Sequence, residues 1–225
     1  KGLYYSPCIH CGKCITACPT AAISEKSVIN QISEKLSISH EMSITISAST
    51  IAWFSAVNGI KKFEDTRAYL VAALHAAGFK TVNTSSFGNE IFISEHASIL
   101  NNRKSSDKTP LIITDCPAVK TFIKNHIPEM VEYLTNVPTP LQISGKIIKE
   151  KSDSNNAGVF VAPCVSLKFD ATSGMSKENN LQTTDFVISS LELQRLLKIY
   201  GSDIPFAKKE TADSFSVSDT SAGAL

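Results

Sequence analysis

The chain has 225 residues, with 22 basic and 21 acidic side chains and 43% hydrophobic residues, enough to bury an apolar core in one large or two modest domains. The near-zero net charge gives no support for nucleic acid or an anionic membrane as a partner. No apolar stretch reaches membrane-spanning length, since the best candidate, 44–57, is short and broken by serines. Six cysteines, four of them in one short motif, fit a reducing cytoplasm better than secretion.

The first predicted element is the motif Cys8-Ile-His-Cys11-Gly-Lys-Cys14-Ile-Thr-Ala-Cys18-Pro19. This spacing is typical of the bacterial ferredoxin motif that binds a 4Fe–4S cube through its thiolates. Structural zinc instead prefers two separated cysteine pairs, and disulfides between such close cysteines would be strained. We therefore predict a partial ferredoxin-type 4Fe–4S module over residues 1–27, too small to hold a core without its metal.

The fourth cysteine of this motif has two readings. In two-motif ferredoxins it ligates the other cluster, so we expect Cys18 to serve a cube whose remaining ligands precede Lys1. Since Lys1 is not an initiator methionine, we expect the sequence to begin inside a longer protein. If the chain does begin at Lys1, Cys18 must instead close the only cube.

From about residue 42, short apolar segments rich in Ile and Val alternate with amphipathic helices. The predicted strands are Ser43–Ala48, Phe79–Thr84, Leu111–Thr114, Gly158–Ala162 and Asp185–Ser189. Helix-length intervals between them favour parallel pairing through right-handed crossovers. The predicted fold class is thus an α+β ferredoxin-like cluster module followed, over residues 40–225, by an α/β domain with parallel sheets.

Terminal residues mark the helices of this domain. The first predicted helix is Thr66–Ala77, which ends before Gly78. The second carries the apolar face Val119, Phe122, Ile123 and Ile127 and ends before Pro128. The third runs from Thr139-Pro140 through Ile147, and the fourth begins with a capping box of Ser189 and Glu192 and ends at Gly201. Three polar stretches, 101–109, 149–156 and 171–183, are predicted surface loops.

Each of the two remaining cysteines directly follows a predicted strand. Cys116 also precedes a helix that would begin at Pro117, where the helix dipole favours a thiolate. Open parallel sheets bind ligands at the carboxyl ends of their strands, so Cys116 and Cys164 are candidate ligands. Free cysteine is also often simply buried, and position alone leaves both interpretations open.

Three segments together resemble the iron–iron (FeFe) hydrogenases, from their last ferredoxin-type motif into their hydrogen-activating domain. They are Cys8–Pro19, Thr114-Asp-Cys116-Pro, similar to the family's Thr-Ser-Cys-Cys-Pro, and Pro163-Cys164-Val-Ser-Leu-Lys-Phe-Asp, similar to Met-Pro-Cys-x-x-Lys-Lys-Phe-Glu. Shorter similar segments follow the family's order at Thr139-Pro140-Leu-Gln, Ile204-Pro-Phe-Ala-Lys and Ser221-Ala-Gly-Ala-Leu.

The resemblance implies an H-cluster, which is a 4Fe–4S cube joined by a cysteine sulfur to a two-iron subsite bearing CO, cyanide and a bridging dithiolate. Cys116 and Cys164 would be two of the four protein ligands of that cube. The other two come, in the family, from a later glycine-rich loop that this sequence does not contain, so we expect the chain to be a fragment or a partner to complete the site. The implied redox partner is an electron-carrier protein or an upstream or partner iron–sulfur domain.

Departures from the family pattern concentrate around the implied catalytic subsite. Asp115 stands in place of the cysteine that relays protons, and Leu167 in place of the lysine that donates a hydrogen bond to cyanide. Further departures are Ala162 for a methionine, Ala48 for a proline, and His96 and Ile99 near relay glutamates. The combination is similar to divergent, sensory-type members of the family.

Three functions follow from these observations. The first is a divergent hydrogenase-like oxidoreductase that binds an H-cluster, turns over slowly and senses hydrogen or redox state. The second is a competent hydrogenase in which Asp115 relays protons. The third is a non-catalytic electron-transfer or scaffold protein that holds 4Fe–4S cubes without a two-iron subsite.

Overall fold

A computed structural model describes residues 6–38, 41–104, 106–151, 157–172 and 184–202. Its helices are α1 Lys13–Ala17, α2 Ile29–Ile38, α3 Ala48–Asn58, α4 Phe63–Ala76, α5 Ser86–Asn101, α6 Pro117–His126, α7 Pro140–Lys151, α8 Val165–Thr172 and α9 Ser190–Ile199, with a 3-10 helix at Pro128–Tyr133. Its strands are β1 Met42–Ile46, β2 Thr81–Thr84, β3 Ala157–Ala162 and β4 Phe186–Ser189. None of the described helices is both long enough and apolar enough to cross a membrane.

The four strands form one parallel sheet in the order β2-β1-β3-β4. In its register, Ile46 lies opposite Thr84 and Val161, and Ala162 lies opposite Ser189. The carboxyl ends of all four strands therefore meet at one edge. The residues that follow the strands, including Cys164 after β3, therefore lie along that edge.

The core surrounds the central strand β1, all five residues of which are buried. Met42, Ile44 and Ile46 are fully buried, and they pack with apolar side chains from α3, α4 and α9. Fully burying one such side chain contributes about 1.5–3 kcal/mol, so this core fixes the sheet on which the site is built. A second, smaller apolar cluster contains Leu141 of α7, Phe160 and Ala162 of β3, and Val187 of β4.

Four of the five predicted strands are confirmed, and none of their ends differs from the prediction by more than two residues. The prediction at Leu111–Thr114 is wrong, because within the described residues this segment forms only a single bridge between Ile112 and Leu134. The segment has the apolar composition of a strand but no adjacent described strand with which to form a ladder. Local propensity alone does not make a strand.

Most predicted helix ends are confirmed, although α4 begins at Phe63 rather than at Thr66. Ser189 caps α9 by accepting a hydrogen bond from the Glu192 amide, and the Glu192 carboxylate accepts one from the Ser189 amide. Thr139 and Gln142 form the same reciprocal pair at the start of α7, which continues to Lys151 rather than ending at residue 147. Of the predicted loops, 152–156 and 173–183 lie outside the described residues, as do the family-like segments after residue 203.

Candidate functional site

The first four cysteines lie on a short loop that leads through α1. Gly12 adopts a left-handed φ of 75° as the N-cap of α1, and His10 has a φ of 55°. These two positive φ values turn the backbone tightly around Cys11, and the His10 amide donates a 3.4 Å hydrogen bond to the Cys8 sulfur. None of the four cysteines of the motif forms a disulfide with another described cysteine.

Three of these cysteines line a common cavity of about 820 Å³. Cys8, Cys11 and Cys14 form one wall, while Val165 and Phe169 of α8 lie on another. Three cysteines that line one cavity, together with apolar side chains, form a donor set of the kind that holds a 4Fe–4S cube, which is bound by thiolates at separate irons. No group of three or more His, Cys, Asp or Glu residues in the described parts of the chain is gathered tightly enough for a single metal ion.

The fourth cysteine is not among the residues that line this cavity. The Cys18 sulfur lies 3.6 Å from the Thr20 hydroxyl. Hydrogen bonds from Thr20 and from the backbone at Ile23 lower the pKa of Cys18 to about 7. The thiolate is the form that binds metal, so Cys18 is chemically suited to be a ligand. That it serves a different cluster from the other three cysteines stays a prediction.

The cluster loop packs directly on α8, a contact that the sequence did not predict. A Cβ added at Gly12 would come within 3.1 Å of Val165 Cγ2, so Val165 lies directly beside Gly12 and leaves little room for a side chain there. The His10 ring stacks on the Phe169 ring at 3.5 Å and 12°, and burial lowers the pKa of His10. Val165 and Phe169 are four residues apart and therefore share one face of α8.

Cys164 lies where the sequence placed it, between the end of β3 and the first residue of α8. Its half-buried sulfur lies 2.8 Å from the Ser166 hydroxyl. Since Val165 follows it directly, Cys164 is one residue away from the contact with the cluster loop. The helix that begins at the second candidate site thus forms part of the first.

Cys116 is the N-cap of α6, as predicted, but it does not follow a strand of the sheet. Its amide donates a hydrogen bond to the Thr114 hydroxyl, and its carbonyl accepts from the amides of the first turn. Helix α6 packs against α8, so the helices that start at Cys116 and Cys164 are neighbours. The structure brings the two cysteines to the starts of adjacent helices.

A largely buried pair of opposite charges lies between these two helices. Burial lowers the pKa of Lys120 on α6 and raises the pKa of Asp170 on α8, while their mutual attraction opposes both shifts. Gln142 donates a 3.4 Å hydrogen bond to Asp170, and these three side chains line a cavity of about 330 Å³. Asp115, the candidate proton relay, is exposed, and its negative charge partly opposes the lowering of the Lys120 pKa by burial.

Leu167 and His96, two of the residues that depart from the family pattern, have defined surroundings in the structure. Leu167 is partly buried and packs against the small apolar cluster of Leu141, Phe160, Ala162 and Val187, so its inner side has an apolar setting. His96 is buried on α5, where Nδ1 lies 2.7 Å from the Phe92 carbonyl oxygen and Nε2 lies 2.8 Å from the Thr135 hydroxyl. Both ring nitrogens of His96 are therefore engaged in structural hydrogen bonds.

A cluster of three charges lies beside the larger cavity. Lys168 of α8 contacts Glu25 of the cluster module at 2.8 Å and also contacts Glu192 of α9. The Ser189 hydroxyl donates a 2.5 Å hydrogen bond to Glu25, which ties the module to the start of α9. The sequence signals Glu192 only as a capping residue and carries no signal for Glu25, because no local pattern marks a contact with Lys168 across more than 140 positions.

Comparison with known families matches the chain along most of its length. The family described as "Iron only hydrogenase large subunit, C-terminal domain" matches residues 40–225, and the "4Fe-4S binding domain" family matches residues 4–24. The expected order, a 4Fe–4S motif followed by a hydrogenase-type α/β domain with a parallel sheet, is confirmed.

Individual relatives agree with this assignment. "Iron hydrogenase 1" of Clostridium pasteurianum is 30% identical over 208 residues, covering 87% of this chain and 35% of that protein. "Cytosolic Fe-S cluster assembly factor NAR1" of Yarrowia lipolytica is 25% identical over 216 residues, covering 87% of this chain and 43% of that protein. A solved structure of the FeFe hydrogenase HydA1 from Chlamydomonas reinhardtii has the same fold, with a TM-score of 0.74 at 18% identity over 84% of this chain and 51% of that one. The chain spans about a third of the length of the first curated relatives that it matches.

Proposed function

Because this chain belongs to the iron-only hydrogenase large subunit family, we propose that it moves electrons between a 4Fe–4S cube bound by Cys8, Cys11 and Cys14 and a second iron–sulfur site at Cys116 and Cys164. The observation that carries the proposal is the position of α8. This helix begins directly after Cys164, and its side chains wall the cavity lined by the three cysteines of the motif.

The residues of this chain bring the two sites together. Gly12 lets the cluster loop lie against Val165, and the His10 ring stacks on Phe169 along the same face of α8. A cube, when bound at the three thiolates, supplies one-electron redox chemistry. The short route from Gly12 through Val165 to Cys164 favours electron exchange between that cube and a second site.

We further propose that hydrogen turnover at the second site is slow and that the protein acts as a sensor of hydrogen or redox state. Leu167 offers no hydrogen bond and packs against an apolar cluster, and the exposed Asp115 stands in place of the relay cysteine of the family. If two preorganised donors are each worth about 2–4 kcal/mol, their joint loss lowers turnover by several orders of magnitude.

A second candidate function is an iron–sulfur scaffold without hydrogen chemistry. It is favoured by the matches to proteins named cytosolic Fe–S cluster assembly factors, which cover most of this chain. Under either function we propose a reducing cytoplasmic location and an electron-carrier protein as partner, consistent with six free cysteines.

Infrared spectroscopy on protein matured under anaerobic conditions tests this proposal. The sensor function predicts CO and cyanide bands together with slow hydrogen evolution from a reduced dye. Absence of those bands with cubes present supports the scaffold, and evolution at the rate of competent hydrogenases contradicts slow turnover. In that fast case Asp115→Asn tests the relay, since loss of a working general acid–base group lowers the rate by about 10²–10⁴.

A further inference from the structure

The charge triad of Glu25, Lys168 and Glu192 joins three separate elements at the boundary between the cluster module and the α/β domain. Lys168 contacts a carboxylate on each side and donates a 3.2 Å hydrogen bond to the Lys26 carbonyl of the module. Among the ion pairs whose two partners are both described, no other links the module to the rest of the chain. The triad is thus the main charged attachment of the cluster module.

The triad is well shielded from water. Its side chains are 14%, 11% and 0% exposed for Glu25, Lys168 and Glu192 respectively. Removing an ion from water costs several kcal/mol, and this cost is offset only while the opposite charges stay in contact. Neutralising one member of the triad while the others stay buried would therefore leave a charge without its partner, so each single substitution should weaken the docking of the module.

The triad also lies beside the proposed cube. Glu25 and Lys168 line the same cavity as Cys8, Cys11 and Cys14. Two carboxylates and one ammonium give the triad a net charge of −1, and reduction of a cube at these cysteines adds one more negative charge. Electrostatic interaction is stronger in such a partly buried setting than in water, so each member of the triad affects how readily that electron is accepted.

We propose that Lys168 is a positioning residue that docks the cluster module on α8 and α9 and, through its charge, raises the reduction potential of the cube bound at Cys8, Cys11 and Cys14. This inference rests on the proposed function, because it requires a cube at those cysteines. It assigns to Lys168, next to the departure at Leu167, a role in holding and tuning the electron-entry site.

Docking and charge make different predictions for two substitutions of similar shape. Lys168→Met and Glu25→Gln both break the triad, so both should increase hydrogen exchange in residues 6–26 by roughly tenfold or more. Their effects on the midpoint potential should have opposite signs. Losing the ammonium makes reduction harder and lowers the potential, whereas losing the carboxylate makes reduction easier and raises it.

The experiment uses the full chain reconstituted with iron and sulfide, a redox titration followed by electron paramagnetic resonance, and hydrogen exchange on the same samples. Lys168→Arg keeps the charge and should restore both properties. Lys146→Met, which breaks the exposed Lys146–Glu150 pair, is the control and should change neither. Shifts of the same sign for K168M and E25Q, or an unchanged potential, would overturn the charge role, and unchanged exchange would overturn the docking role. A wild-type chain that binds no cube contradicts the proposed function instead.

Discussion

Substituting Gly12 by alanine tests the contact between the cluster loop and α8. Gly12 has a φ of 75°, and an alanine held in the left-handed region costs about 1–2 kcal/mol. Its Cβ would also lie 3.1 Å from Val165 Cγ2, and overpacking of this kind costs about 1–3 kcal/mol. We therefore expect Gly12→Ala to lower the free energy of local opening of the module by about 2–5 kcal/mol.

Gly59 provides a matched control, because its φ is 65° and no described heavy atom lies within 4 Å of a Cβ added there. Gly59→Ala should lower the local opening free energy only by the backbone term of about 1–2 kcal/mol. Hydrogen exchange measured by mass spectrometry on the reconstituted protein gives both values. The excess cost at Gly12 should fall when Val165→Ala is added in the same chain.

Equal losses in G12A and G59A would refute the proposed packing of the loop on α8. So would a failure of Val165→Ala to recover part of the loss in the Gly12→Ala background. Either result would separate the Cys8–Cys14 cavity from the helix that begins after Cys164, and with it would remove the short route on which the electron-transfer proposal depends.

Three further predictions concern stability, each measured by urea denaturation followed through the fluorescence of Trp53. Leu167→Lys replaces an apolar side chain that packs against the cluster of Leu141, Phe160, Ala162 and Val187 by a charged one, so it should destabilise the fold by about 1–3 kcal/mol. Leu167→Met should cost less than about 1.5 kcal/mol. A neutral Leu167→Lys would contradict the apolar packing of Leu167. Ser189→Ala removes both the cap of α9 and the hydrogen bond to Glu25, so we expect a loss of about 0.5–2 kcal/mol, against no change for the exposed Ser37→Ala. Burial raises the pKa of Asp170 above its ordinary value of 3.8. The stabilising contribution of Asp170 is therefore complete below that pH and is lost as the pH rises through the folded-state pKa. The stability of the wild type relative to Asp170→Asn should fall as the pH is raised from about 4 towards neutrality, and the opposite trend would contradict the burial of this carboxylate.

The sequence predicts well those features that depend on local chemistry. The capping box of Ser189 and Glu192 forms as expected, because both partners lie within one helical turn. The position of Cys164 after β3 also follows from a run of β-branched and aromatic residues that ends at a proline. Periodicity and terminal residues are sufficient for these elements.

Features that depend on distant contacts were not predicted. The segment 111–114 has strand-like composition, but strand formation also requires a neighbour, and among the described residues it has only the bridge to Leu134. The stack of His10 on Phe169 and the contact of Lys168 with Glu25 join residues more than 140 positions apart. Pairings at this separation are set by the packing of whole elements, and no local pattern encodes them.

The central claim is that thiolates of this chain bind iron–sulfur clusters. Its most direct test is the iron and acid-labile sulfide content, with the electron paramagnetic resonance spectrum, of the anaerobically reconstituted and reduced chain beside Cys11→Ser. The wild type should be brown and give a 4Fe–4S signal that Cys11→Ser loses. A colourless, iron-free wild type, or a Cys11→Ser variant with the same iron content and signal, would contradict the claim.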